Sequence, residues 1–156
     1  MKKYVAGFLF DEECTKVALI HKNHGPAAIV GHWNAIGGKR SVASAGQDES
    51  AAAAMWREFV EETGSGHGVR WTPFLVLRSQ SSLDLAHAWQ VDFFHGFHDA
   101  ALKTVRTAET EEVRVWPLTE LPDVVPNLRW IIPMALGHDD DHVRIYEVIE
   151  KDAFTA

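Results

Sequence analysis

Between Arg57 and Gly64 the chain reads Arg-Glu-Phe-Val-Glu-Glu-Thr-Gly, which puts three carboxylates and a guanidinium into six residues. If this segment is helical, Glu58, Glu61 and Glu62 are related by i, i+3 and i+4 steps and share one face. Ala52, Met55, Trp56, Phe59 and Thr63 fall on the opposite arc, with the spacing of a core-facing stripe. Ser50 stands before the alanine run as an N-cap, and Gly64 follows as a left-handed stop. Like charges at these spacings cost a helix about a few tenths of a kcal/mol per pair. Bulk solvent would offset that cost, and so would a hard divalent cation. Mg²⁺, with Mn²⁺ as its substitute, takes oxygen ligands and commonly bridges carboxylates to a substrate phosphate. Charge runs on helices are usually just solvated, so this segment alone leaves both readings open.

The residues upstream narrow the choice. Gly37-Gly38-Lys39 follows a predicted strand, and Glu49 stands eight residues before Arg57. Together with Glu58, Glu61, Glu62 and Gly64 they resemble the Nudix box, G-x5-E-x7-R-E-U-x-E-E-x-G-U with U a bulky apolar residue. Two departures stand out. Ten residues separate Gly38 from Glu49 instead of five, so the loop carries an Ala/Ser/Gly-rich insertion (Ser41–Gly46), and the last U position is Ser65. Lengthening a surface loop costs little free energy.

The resemblance implies an α/β/α sandwich with a loop–helix–loop box, and a metal-dependent hydrolase of a nucleoside diphosphate linked to another group. It implies that the carbonyl of Gly37 holds the divalent ion together with Glu58, Glu61 and Glu62, and that Arg57 orients the neighbouring glutamate. Gly38 and Lys39 match positions at the phosphates, and tight glycines do let backbone approach an ion or phosphate closely. A fourth carboxylate, as ligand or base, is expected from Glu109, Glu111 or Glu112, with Glu112 favoured. Arg57, Glu58, Glu61 and Glu112 are thus the expected catalytic set. The reaction expected is attack of metal-activated water on phosphorus.

A narrower resemblance, to the subgroup that sanitises oxidised purine nucleoside triphosphates, rests on Gly31–Lys39, Glu112-Val113-Arg114, Trp116 and Asn127-Leu128-Arg129-Trp130. Asn34 matches that subgroup's base-reading asparagine. Its acid pair is replaced by Pro126 and Asn127, and its stacking tryptophan by Val124, so oxidised guanine is not demanded. Asn34, Asn127 and Trp130 are the candidate base contacts. A purine triphosphate cleaved to the monophosphate and pyrophosphate is the expected substrate. ADP-ribose or nucleotide-sugar hydrolysis, and non-catalytic nucleotide sensing, are the alternatives.

The elements that must position these groups read as a mixed α/β layer. Tyr4–Phe10 and Lys16–His21 flank an acidic turn like paired strands, and Val69–Arg78, His87–Phe97 and Glu112–Trp116 follow as strands. Asn127–Leu136 has helical spacing with Pro133 inside, which predicts a kink or a short first turn, and His142–Ile149 alternates as a late strand. The length predicts a single domain over residues 1–156. A net charge of −7 argues against a polymeric nucleic acid as partner, and no apolar run reaches the ~20 residues of a membrane span. One cysteine, Cys14, excludes a disulfide framework and suits a reducing cytoplasm. The expected partner is a small-molecule nucleotide, for a monomer or homodimer. Trp56, Trp71 and Trp89 read as core aromatics, and His95/His98 as structural. The His138–His142 run reads as an exposed loop rather than a metal cluster.

Overall fold

The computed structural model describes residues 1–42, 46–79, 86–138 and 144–151. Its strands are β1 (Lys2–Phe10), β2 (Lys16–His21), β3 (Trp33–Asn34), β4 (Thr72–Ser79), β5 (Trp89–Phe97), β6 (Val113–Pro117) and β7 (Tyr146–Glu150). Its helices are α1 (Ala51–Thr63), α2 (Asp99–Thr104) and α3 (Leu128–Gly137). The strands form one mixed sheet in the order β3-β2-β1-β5-β4-β7, with β6 paired to β2. β1 runs parallel to β5 along its whole length, and β7 runs parallel to β4; the other pairs are antiparallel.

Alternation along β1 divides the core between the two faces of the sheet. Ala6, Phe8 and Phe10 point to the side covered by Leu128, Ile131, Ile132 and Ala135 of α3. Val5 and Leu9 point to the side covered by Ala54, Met55 and Phe59 of α1 and by Ala101 and Leu102 of α2. Helices on both faces make this the α/β/α sandwich. Gly7 of β1 lets α1 approach: a Cβ there would lie 2.7 Å from the sulfur of Met55.

β1 and β2 share only two register partners, Leu9↔Ala18 and Phe10↔Val17, and then separate. The segment from Trp33 onward enters the gap. Its start pairs with β2 through Ile20↔Asn34, and its end bridges to β1 through Gly7↔Ile36 and Tyr4↔Lys39. The glycine pair is thereby built into the sheet, facing α1.

The predicted strands recur with small shifts at their ends. Of the predicted late strand, His142 and Val143 lie outside the described residues, as do Asp139–Asp141 of the histidine-flanked acidic run. α3 continues through Pro133, beginning one residue later than the spacing suggested. α2 was not foreseen. It is six residues long, with the His98 Nδ1 accepting from Ala101 N at 2.9 Å. Trp56 corrects the predicted core stripe, because it is 38% exposed, and Ala52 is exposed as well. The buried residues of α1 are Ala54, Met55, Phe59, Glu62 and Thr63, so the stripe is rotated toward Glu62.

Candidate active site

Each end of α1 is fixed as its sequence predicts. Ser50 accepts from Ala53 N at 3.1 Å, and Gly64 takes φ 66° while its N–H donates to the Val60 carbonyl at 2.9 Å. Arg57 is the hub of the helix surface. Its Nε and Nη2 grip the two oxygens of Glu49 at 2.9 Å each, and its Nη1 donates to Glu58 at 2.8 Å and to Glu61 at 3.1 Å. Nη2 also donates to the Lys39 carbonyl at 3.1 Å, tying the helix to the glycine loop. The Arg57 bonds hold the Glu49 carboxyl down to about 2, against the opposing effect of burial.

The inserted loop does not displace Glu49, because it is closed at its base. Glu49 N donates to the Ser41 carbonyl at 3.0 Å, Ser41 N donates to the Glu49 carboxylate at 2.9 Å, and Val42 bridges to Asp48. Residues 43–45 of the insertion lie outside the described residues.

The three helix carboxylates occupy unlike environments. Glu61 is 48% exposed and bonded to Arg57. Glu58 is mostly buried against Gly38, where a Cβ would lie 2.6 Å from its carboxylate. Burial raises its pKa, with Arg57 opposing and the charges of Glu61 and Glu109 adding to the rise. Glu62 is buried and accepts from Gly37 N at 2.9 Å. Burial pushes it up to about 8, although Lys22 and the Gly37 N–H favour its charged form. Gly37 admits no side chain at all, since a Cβ would lie 2.1 Å from the Val5 carbonyl oxygen.

Two of the late carboxylates act on this face, Glu109 on Glu58 and Glu111 on Glu62, whereas Glu112, the favoured candidate, points to the other face. Val113 packs on the α1 side of the sheet, and alternation puts Glu111 on that side too and Glu112 on the other. Glu111 is buried, takes a bond from Lys22 Nζ at 2.6 Å and one from Asn23 N at 2.7 Å, and lies within the field of Glu62. Burial opposes its ionisation, but Lys22 and Asn23 outweigh that and lower its pKa. Glu112 is instead half-exposed and bonds Arg114. Lys22 and Asn23 were missed from sequence, although the register held the signal. Lys22 and Glu111 each lie two residues beyond the Ile20–Val113 pair of β2 and β6.

Among the described residues, no three His, Cys, Asp or Glu side chains converge closely enough to hold an ion as they stand. The cause is visible: Arg57 turns Glu58 and Glu61 toward itself, and Lys22 engages Glu111. The donor set still fits a hard divalent cation. Glu58 and Glu62 are carboxylates that burial makes costly to ionise, packed on a glycine pair whose backbone admits close approach, and a cation would supply the missing charge.

On the α3 side, Trp33 and Trp116 meet edge to face at 5.1 Å, with the Arg114 guanidinium over both rings. Asn127 stands at the N-cap of α3 but makes no capping bond, and its Oδ1 is buried with no hydrogen-bond partner among the described residues; Trp116 Nε1 likewise has none there. Asn34 accepts from Ala35 N at 2.8 Å, which occupies one of the two lone pairs of its Oδ1. Trp130 is 38% exposed, away from the buried residues of α3. Lys39 is exposed.

No family model matches the chain, and no curated protein does. Solved structures match it well. A mutator MutT protein from Bacillus halodurans superposes with a TM-score of 0.64 at 19% identity, over 99% of this chain and 93% of that one. The NUDIX domain of Shewanella oneidensis NrtR, solved with ADP ribose, gives 0.63 at 18% identity over 86% and 85%. The longer Shewanella oneidensis NrtR chain gives 0.61 at 20% identity; 86% of this chain is covered, and it spans 62% of that protein's length. The chain therefore has the fold of these Nudix structures. Identities this low carry the fold alone.

Proposed function

We propose that the chain is a divalent-metal-dependent pyrophosphohydrolase acting on a nucleoside diphosphate linked to another moiety, with a purine nucleoside triphosphate as its substrate. One observation carries this reading. Two carboxylates with raised pKa, the partly buried Glu58 and the buried Glu62, pack directly on Gly38 and Gly37, beside the Arg57–Glu49 clamp.

The Gly37 carbonyl, Glu58, Glu61 and Glu62 would hold the ion, with Glu111 in reach as a late ligand in place of Glu112. Bound there, the ion supplies charge neutralisation at the phosphates and a lowered pKa for water. The chain's own groups do the rest. Water attacks phosphorus, the bond from that phosphorus to the bridging oxygen breaks, and the leaving phosphate departs with that oxygen. Glu58, whose direction Arg57 fixes, would take the water proton.

Asn127 supports a base at the Trp33–Trp116 end. Asparagine at an N-cap normally bonds the helix, and a buried acceptor left unmade costs roughly 1–3 kcal/mol. A purine edge donor would satisfy it. The test is product analysis with Mg²⁺ against GTP, dGTP, 8-oxo-dGTP, a pyrimidine triphosphate, ADP-ribose and a nucleotide sugar. Conversion of purine triphosphates to monophosphate and pyrophosphate, stopped by chelator and by Glu58→Gln, is expected. Equal turnover in excess chelator would overturn the reading, as would a preference for ADP-ribose over every triphosphate.

A further inference from the structure

The two sides of the sheet are finished differently. On the β2 side, β6 carries the Glu112–Arg114 pair, its Val113 N–H donates to the Thr107 hydroxyl at 3.0 Å, and it ends at Pro117. Charges, capped backbone groups and proline are the usual means by which an edge refuses a further strand. On the other side stands β7, which among the described residues pairs with β4 alone. Nine large hydrophobic side chains are exposed among those residues, and three of them, Ile145, Tyr146 and Ile149, fall within five positions here. We propose that β7 is a self-association edge: it pairs antiparallel with β7 of a second copy of this chain, about a two-fold axis at Glu147, and joins two sheets into one.

Symmetry leaves few registers to choose from. A two-fold axis perpendicular to the sheet sets residues of the same face opposite one another. Centred on Glu147, it sets Arg144 opposite Glu150 of the second copy, Ile145 opposite Ile149, and Tyr146 opposite Val148, each pair occurring twice. Opposite charges and β-branched or aromatic neighbours are the pairs that stabilise antiparallel strands. Glu147 alone meets its own kind, and its charge is already engaged by Arg78 of β4 at 2.6 Å. Moving the axis to Tyr146 would set Ile145 against Glu147, and moving it to Val148 would set Ile149 against Glu147 and Ile145 against Lys151. Both alternatives place an isoleucine against a charge. The sequence complements itself in one register best.

The packing of the sheet explains why these isoleucines await a partner. Val148 lies beside Leu77 and packs into the core on the α3 side, so alternation turns Ile145, Glu147 and Ile149 to the α1 side. The core on that side contains no residue of β4 or β7, and Ile149 is 64% exposed. In the paired form, Ile145 and Ile149 of both copies meet across the new seam. Stable interfaces bury roughly 1,200–2,000 Å², and one strand edge falls short of that, so the dimer is a reversible one. β1, β5 and β4 stand between β7 and the glycine pair, so each copy keeps its own candidate site open. Association therefore stands or falls independently of the hydrolase reading.

Sedimentation equilibrium of the full chain over a range of concentrations should show a reversible monomer–dimer equilibrium. Ile149→Lys should weaken it by about tenfold or more, and so should Glu150→Arg, which sets arginine opposite Arg144. Adding Arg144→Glu to Glu150→Arg should restore association close to the wild-type value. Circular dichroism checks that each variant is folded. Cysteine cross-linking reads the register directly, with Cys14→Ser removing the chain's one native thiol. Opposed residues of an antiparallel pair have Cα atoms about 4.5–5.5 Å apart, within the span of a disulfide. Glu147→Cys, at the axis, should give a covalent dimer on air oxidation, and Ile145→Cys, which faces Ile149, should not. A wild-type chain that stays monomeric at every concentration would overturn the proposal. So would a dimer untouched by Ile149→Lys, a charge swap that restores nothing, or equal cross-linking at positions 145 and 147.

Discussion

At the scale of single residues, Glu62 is an acid that the fold prefers neutral. Burial lifts it from 4.5 to about 8, so the stability linked to its protonation is full below pH 4.5 and is lost as pH rises through 8. The shift corresponds to a loss on the order of a few kcal/mol. In chelator, urea denaturation should show wild-type stability declining between pH 5 and 8, and Glu62→Gln should flatten that decline. Parallel curves for the two proteins would contradict it. Glu49 has the opposite sign: its contribution is present above pH 4.5 and lost only as pH falls through about 2. The late carboxylates separate by activity. Glu111→Gln should lower kcat/KM by about 10–100-fold, whereas Glu112→Gln, paired with Arg114 on the other face, should stay near wild type. The Arg57–Glu49 clamp was legible because its spacing is local to one loop and one helix. Lys22 and Glu111 were not, since only the β2–β6 register brings them together and no single stretch of sequence contains it.

At the scale of elements, the loop and the helix divide the work unequally. Gly37→Ala would drive a Cβ into the Val5 carbonyl, a backbone atom fixed in the sheet. It should cost more stability than Gly7→Ala, whose Cβ meets the flexible end of Met55. Overpacking of that second kind costs about 1–3 kcal/mol. Thermal unfolding of both variants checks the order, and the reverse ranking would mean the glycine loop yields easily. Ser50→Ala should cost about 1 kcal/mol through the lost cap at Ala53 N. Strands and the box helix were legible from alternation and caps. α2 was not, because six residues are too few for a 3.6-residue period to register. Trp56 was misplaced for a physical reason: Gly37 N and Lys22 favour Glu62 at the sheet, and drawing that carboxylate inward turns the tryptophan out.

At the scale of the molecule, Mg²⁺ should raise Tm by mass action, since only the folded chain assembles the like-charged groups. At a concentration about 100-fold above Kd, the gain is about 2.7 kcal/mol. Glu58→Gln with Glu62→Gln should be more stable than wild type in chelator at pH 8 and gain nothing from Mg²⁺; an equal gain in both would place the ion elsewhere. The long parallel seam of the sheet has a further consequence, for synthesis. Lys2 pairs with Trp89 and Phe10 with Phe97, so β1 is translated well before the strand that covers its edge. At about 5–20 residues per second, its run Phe8-Leu9-Phe10 waits on the order of 4–17 s without that neighbour. Slow codons placed between Gly64 and Ala88 should therefore lower soluble yield in the cell, whereas the same codons placed after Phe97 should leave it unchanged.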